Sequence, residues 1–220
     1  MNATIEAAHR NRAARLAALA RLRPVYAASQ QAEKAIEAAK AGAGEIRTGF
    51  QLMQSLKHIP GFFPTPPAIV GEMLDRAGNV SGKTVLEPSA GKGNIAEDVR
   101  KAGGVVSCIE KVFALAEHLR KLGFDTACWD FMDRQPAELF DLVLMNPPFE
   151  NRQDVAHVQH AFEFLKPGGR LVAIASSTGA ARLEQWATDR DGYVEPLPAK
   201  AFETSERPTG VNCAWVIAEN

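Results

Sequence analysis

Cysteine is scarce in this sequence: Cys108, Cys128 and Cys213 are the only three in 220 residues, far apart, with no C-x-x-C pair and no histidine at zinc-ligand spacing. A disulfide framework and a structural zinc site are excluded on that pattern, no metal is expected, and the expected compartment is a reducing one, the cytoplasm. Long apolar runs are lacking as well. Arginines interrupt the Ala/Leu stretch from Ala13 to Arg21 well short of the ~18–20 residues of a membrane span, so no membrane contact is expected. That stretch is amphipathic like a transit peptide, but it has no serine and follows Glu6, so it reads as a plain helix. Nor is there an excess of charge of one sign, because 25 Lys+Arg stand against 26 Asp+Glu. The balance excludes a uniformly basic nucleic-acid-coating protein and an acidic solvating tail. It is uneven along the chain: residues 1–50 carry 8 basic and 4 acidic side chains, net +4, and the remainder is net −5.

What is present is a core-forming composition, 46% hydrophobic and 23% charged with a mean hydropathy of −0.16, in a length suited to one domain with a small appendage. From Ile5 to about Ala41 the residues are Ala, Leu, Arg, Lys, Glu and Gln, strong helix formers, with Pro24 as a break and Ala-Gly-Ala-Gly at 41–44 as punctuation. This helical extension, residues 1–45, is too poor in large apolar residues to bury a core alone. It is expected to pack on the main domain or on a second copy as a homo-oligomer contact. Residues 46–220 form the main domain. Short β-rich runs alternate there with helical patterns, which predicts an α/β fold with a doubly wound, Rossmann-like parallel sheet. The predicted strands are Thr84–Glu87, Val105–Glu110, Thr126–Trp129, Phe140–Met145, Arg170–Ala175, Tyr193–Leu197 and Val211–Ala218. The predicted helices are Pro67–Ala77, Asn94–Ala102, Ala114–Leu122 and Asp154–Leu165. Such sheets bind ligands beyond the carboxyl ends of their strands, and the motifs lie there.

The first strand runs into Glu87-Pro88-Ser89-Ala90-Gly91-Lys92-Gly93-Asn94 and then a helix. Glycines there let the backbone approach a ligand and aim amide groups at it. A nucleoside-triphosphate loop is excluded, because Lys92 is followed by glycine rather than Ser or Thr and the upstream glycine is missing. A dinucleotide fingerprint is formally met by Gly91-x-Gly93-x-x-Ala96, with Glu110 closing the second strand, where an acid can accept both ribose hydroxyls. Glu87 decides between cofactors: an acid before the glycines repels a pyrophosphate but welcomes a sulfonium and an ammonium, so S-adenosyl-L-methionine is favoured. Asp130 and Phe131, after the third strand, fit an adenine clamp in which the carboxylate accepts from the amino group and the ring covers the base; a helix cap and a core residue are the plainer alternative.

The fourth strand ends in Asn146-Pro147-Pro148-Phe149, placed across the crevice from the Gly91 loop if the first and fourth strands are adjacent. The Asn146 side-chain oxygen and the Pro147 carbonyl make a rigid acceptor pair for both hydrogens of a planar –NH2 group. Pro148 stiffens the turn, and Phe149 can stack on the ring that bears the amine. Methylation at cytosine C5 is excluded, since none of the three cysteines follows a proline. His157 and His160 share a helix face without a third ligand and are read as surface or satisfied residues.

Together Phe62-Phe63-Pro64-Thr65-Pro66, Leu86 to Gly91, Glu110, Asp130-Phe131 and Asn146 to Phe149 resemble the ordered motifs of γ-class N6-adenine DNA methyltransferases, in the compact form of phage and prophage enzymes. The resemblance covers about residues 58–220. Leu197-Pro198 through Gly210-Val211-Asn212 is similar to their closing hairpin, and larger relatives add a target-recognition domain. It implies a seven-stranded class I methyltransferase sheet, S-adenosyl-L-methionine as cofactor, and a DNA adenine, flipped from the duplex, as substrate. It also implies that Phe63 and Thr65 line the methionine side and Phe131 the adenine. The same amine chemistry serves RNA or a protein glutamine, and a cofactor-binding subunit without activity is a further alternative. Arg10, Arg12, Arg15, Arg21 and Arg23 are candidates for holding the nucleic-acid backbone; a solvated helix face or a dimer contact explains them equally well.

Overall fold

The computed structural model describes residues 62–137 and 139–220. The helical extension predicted for residues 1–45, with its five arginines and its oligomer contact, lies outside the described residues.

The element order is α1 (Pro67–Ala77), β1 (Thr84–Pro88), α2 (Asn94–Lys101), β2 (Val105–Ile109), α3 (Phe113–Lys121), β3 (Asp125–Ala127), β4 (Phe140–Met145), α4 (Gln153–Phe162), β5 (Leu165–Ser176), α5 (Ser177–Thr188), β6 (Tyr193–Pro196) and β7 (Cys213–Glu219). The seven strands form one mixed sheet in the order β3-β2-β1-β4-β5-β7-β6, with β7 antiparallel to both neighbours and the other pairs parallel. This is the Rossmann-like class I methyltransferase fold. The order reverses between β1 and β4, which pair through Val85 with Leu142 and Leu86 with Val143, and the crevice opens at their carboxyl ends.

The twofold period of the strands sorts their side chains into two cores. Leu142 and Leu144 of β4 face one side and join Val85, Met73, Ile95, Val99, Leu119 and Trp215 under α1, α2 and α3. Val143 and Met145 face the other and join Leu86, Val158, Leu171, Leu183 and Ala187 under α4 and α5. Each such buried Val, Leu, Ile or Met side chain stabilises the fold by roughly 1.5–3 kcal/mol over its exposed state.

Several predicted boundaries move. β3 ends at Ala127, so Trp129 leaves the strand and stands in the crevice. Leu165 begins β5 rather than ending a helix, because Phe140 donates to the Phe164 carbonyl and pairs with Leu165. Helix α5 is absent from the sequence reading. Ser176 caps it by accepting from the Gly179 amide at 3.1 Å, and the buried Asp154 carboxylate receives the Ser176 amide at 2.9 Å and hydroxyl at 2.6 Å. Gly179 weakens the local helix signal, yet any Cβ there would collide with Asp154. Among the described residues no helix is long and apolar enough to cross a membrane.

Candidate active site

A cavity of about 290 Å³ lies at the carboxyl ends of β1, β2 and β4, near the lower end of small-molecule sites. One wall is the extended segment Phe62–Thr65. The end of β1 supplies Glu87 and the loop after it Ser89, Ala90 and Gly91; Ile109 ends β2 and Glu110 follows it. Trp129, Asp130 and Phe131 form a third side, and Asn146, Pro148, Gln153 and His157 a fourth. Eleven of the fourteen residues assigned from the sequence to cofactor or catalysis therefore come together. Gly93, Pro147 and Phe149 do not line the cavity.

Ser89 and Gly91 have left-handed backbones, φ +62° and +58°, which turn the chain sharply, and three amides of the loop are bonded within the protein. Ala90 N–H donates to the Ile109 carbonyl, Gly93 N–H to the Ala90 carbonyl and Gly91 N–H to Glu110 Oε2 at 2.8 Å. A Cβ on Gly91 would sit 3.0 Å from the Phe62 ring, and one on Gly93, at φ +90°, would meet Leu119 of α3.

Two buried carboxylates face this loop. Glu110 is 5% exposed and bonds its second oxygen, Oε1, to Val112 N–H at 2.7 Å. Burial raises its pKa, and the Val112 and Gly91 amides oppose the rise. Glu87 is 3% exposed and its Oε2 has no hydrogen-bond partner. Burial pushes its pKa well up against a backbone bond from Ala96, with Glu110 adding repulsion. An unpartnered carboxylate oxygen in a cavity is the environment that a cationic ligand relieves, and a sulfonium with its ammonium fits it.

On the third side Asp130 accepts from Met132 N–H at 3.1 Å and lies 3.9 Å from Lys111 Nζ, so it caps a short turn and still borders the cavity. Phe131 is only 2% exposed; its ring packs among His157, His160 and Phe164 at centroid distances of 5.7, 4.9 and 5.2 Å. It is chiefly a core aromatic that contributes to the wall. Trp129, half-buried beside it, is the lining aromatic that the sequence reading missed, having been taken as the end of a strand. His160 is satisfied as expected by the Arg134 carbonyl at 2.8 Å. His157 is not: it is 4% exposed, its Nδ1 has no partner, and burial lowers its pKa to about 4, so it lines the cavity as a neutral ring.

The fourth side has one orientation only. Asn146 Nδ2 donates to the Phe63 carbonyl at 3.0 Å and to Thr65 Oγ1 at 3.1 Å. A backbone carbonyl can only accept, so the amide nitrogen must face it and Oδ1 is left as the acceptor. Thr65, 4% exposed, thus acts on Asn146 as well as on the wall. Pro147 is buried, Pro148 partly exposed, and the Phe149 ring packs half-buried against the first core. That places Phe149 outside the cavity in this conformation.

Solved structures share this architecture. A protein described as an RNA methyltransferase from Pyrococcus horikoshii superimposes with a TM-score of 0.57 over 80% of this chain and 99% of its own at 20% identity. A dimethyladenosine transferase from Plasmodium falciparum gives 0.57 over 72% and 64% at 15%, and an S-adenosylmethionine-dependent O-methyltransferase from Thermotoga maritima 0.53 over 77% and 70% at 16%. At these identities the likeness is one of fold. No curated protein matches in sequence. The sequence pattern of the methyltransferase small domain, however, matches residues 73–184, half of the chain, from α1 through the Glu87, Glu110 and Asn146 loops to α5. With that match, the fold and a cavity suited to a cationic cofactor, the chain belongs to the methyltransferase small domain family and is an S-adenosylmethionine-dependent methyltransferase.

Proposed function

We propose that this methyltransferase acts on the exocyclic N6 amine of adenine in DNA. The observation that carries the reading is the fixed orientation of Asn146, whose nitrogen is tied to Phe63 and Thr65 so that Oδ1 is held ready to accept. Its placement in an Asn-Pro-Pro-Phe segment, and the resemblance to γ-class enzymes of phage and prophage type, support adenine over other amines.

The bound cofactor supplies an electrophilic methyl group on a sulfonium. Glu87 is assigned to its cationic methionine end, Glu110 to the ribose hydroxyls, and Asp130 with Trp129 and Phe131 to its adenine. Ser89, Ala90 and Gly91 line the passage between them. Asn146 Oδ1 is assigned to accept a hydrogen bond from one amine N–H, and the carbonyl of Pro147, between the lining residues Asn146 and Pro148, from the other. This draws the nitrogen toward tetrahedral geometry and frees its lone pair; the nitrogen's surplus proton leaves to solvent after transfer. Positioning and preorganised acceptors then do most of the work, with no strong base. Phe149, beside Pro148 and still partly exposed, is assigned to stack on the flipped base after leaving some of its core contacts. DNA is the assigned partner, with the N-terminal arginines on its backbone and a second copy of the chain joined through the same extension.

Incubation with methyl-labelled cofactor and separate DNA, RNA and protein pools, followed by complete digestion, tests the substrate. Label recovered as N6-methyladenine from DNA is the expected result. Label in RNA adenine or in glutamine would keep the amine chemistry and replace the substrate, and no transfer at all would point to a non-catalytic partner subunit.

A further inference from the structure

The wall segment Phe62–Thr65 has four consecutive carbonyls, and a different side chain holds each one. Arg207 Nη1 donates to Phe62 at 3.2 Å, Asn146 Nδ2 to Phe63 at 3.0 Å, Ser205 Oγ to Pro64 at 2.6 Å and Asn94 Nδ2 to Thr65 at 2.7 Å. Prolines at 64, 66 and 67 deny the segment a regular ladder, so side chains take the place of strand partners. Two of the four come from the loop between β6 and β7, more than 130 residues away in sequence.

That loop is itself anchored. Phe202, 1% exposed, and Leu197 are buried in the first core, and the Ser205 amide donates to the Phe202 carbonyl at 3.1 Å. Ser205 is 7% exposed, and its hydroxyl oxygen also accepts from Arg207 N–H at 3.3 Å. One buried hydroxyl thus joins the loop to the segment. The Arg207 guanidinium lies 4.8 Å over the Phe63 ring, and Glu206 pairs with Lys92 of the β1 loop. Asn146 depends on this arrangement, because its two nitrogen partners, Phe63 O and Thr65 Oγ1, flank the Pro64 carbonyl that Ser205 holds.

We propose that Ser205 and Arg207 are positioning residues for methyl transfer: by fixing the Phe62 and Pro64 carbonyls they hold the segment that orients the Asn146 amide. The role rests on the reading of Asn146 as the amine acceptor. Neither residue touches the reacting atoms. Their effect reaches the chemistry because a small displacement of an acceptor from its productive geometry slows a reaction strongly while leaving remote binding contacts in place.

The test measures hydrogen exchange of the Asn146 side-chain amide in the full chain without cofactor, its resonance identified by its disappearance in Asn146→Asp, together with kcat, KM and the thermal midpoint. Ser205→Ala is expected to speed that exchange roughly tenfold. It should also lower kcat about tenfold at saturating cofactor, with KM for the nucleic acid within about twofold. Ser205→Thr, which keeps the hydroxyl, should recover both. Arg207→Met should act in the same direction and serves as the second variant if Ser205→Ala does not fold. Unaltered Asn146 exchange in the folded variants overturns the proposal whatever the activity, and so does faster exchange with undiminished kcat. If the wild type methylates no nucleic acid while exchange accelerates as expected, the positioning role stands and the substrate reading falls.

Discussion

The two ends of the cavity are held in different ways. At the cofactor end the Ala90, Gly91 and Gly93 amides are satisfied by neighbouring backbone and by Glu110, and two carboxylates are buried within the turn-and-strand unit that presents them. At the catalytic end Asn146 is oriented by a segment more than 80 residues earlier, which is held in turn by a loop near the C-terminus. The first end is made by short-range geometry, the second by side chains meeting across the fold. Binding and chemistry should therefore be separable by mutation.

The largest expected effect breaks the catalytic end alone. Asn146→Ala should lower methyl transfer by about 10²–10³, the usual loss when one preorganised polar group is removed from a reacting centre. Calorimetric titration should show cofactor affinity changed by no more than a few-fold. Near-normal turnover would remove Asn146 from the mechanism.

Glu110→Ala breaks the other end. Loss of charge-assisted bonds to ribose hydroxyls, roughly 1.5–3 kcal/mol, should weaken cofactor binding about ten- to hundred-fold. The same titration would then show the rate constant at saturating cofactor little altered. Loss confined to kcat would reverse the assignment of the two ends.

Glu87→Gln sharpens the comparison, because it should move stability and affinity in opposite directions. The folded pKa of Glu87 lies above its ordinary value of 4.5, so the fold favours the protonated acid and its contribution is lost as pH rises from there through the folded value. The glutamine variant escapes this. Without cofactor it should be more stable than wild type at neutral pH, the gap closing toward pH 4.5, while its cofactor affinity falls. Denaturant midpoints across pH, beside calorimetry, would check both.

The smallest effect concerns His157. Its folded pKa of about 4 lies below the ordinary 6.5, so the unfolded chain takes up the proton first. Its contribution is complete above pH 6.5 and declines as pH falls toward 4. His157→Gln should flatten the stability curve in that window, and an unchanged slope in denaturant titrations would show that the ring gains its proton without unfolding.

Much of the fold was legible because parallel sheets with helical crossovers leave a local record. β1, β2 and β4 appear as short apolar runs between amphipathic stretches, and the Asn-Pro-Pro-Phe turn marks the strand end at which the cavity opens. Helix α5 was not legible, since Gly179 is chosen for contact with Asp154 rather than for helix propensity. Trp129 and His157 escaped for a related reason. A tryptophan after a strand and a histidine on a helix carry no sign of the cavity until the sheet brings β3, β4 and α4 to one crevice.

By itself the sequence determined the alternation of strands and helices, the sheet class, the acids before and after the glycine turn and the amide-bearing turn at the end of β4, because each depends on residues within a few positions of one another. Only the tertiary structure decided that Phe149 packs against the core, that Gly93 abuts Leu119, and that the Asn146 nitrogen faces Phe63 and Thr65. Those outcomes depend on partners tens of residues apart, and nothing in the local chain encodes a hydrogen bond from Ser205 to Pro64 until the folded sheet has closed the distance between them.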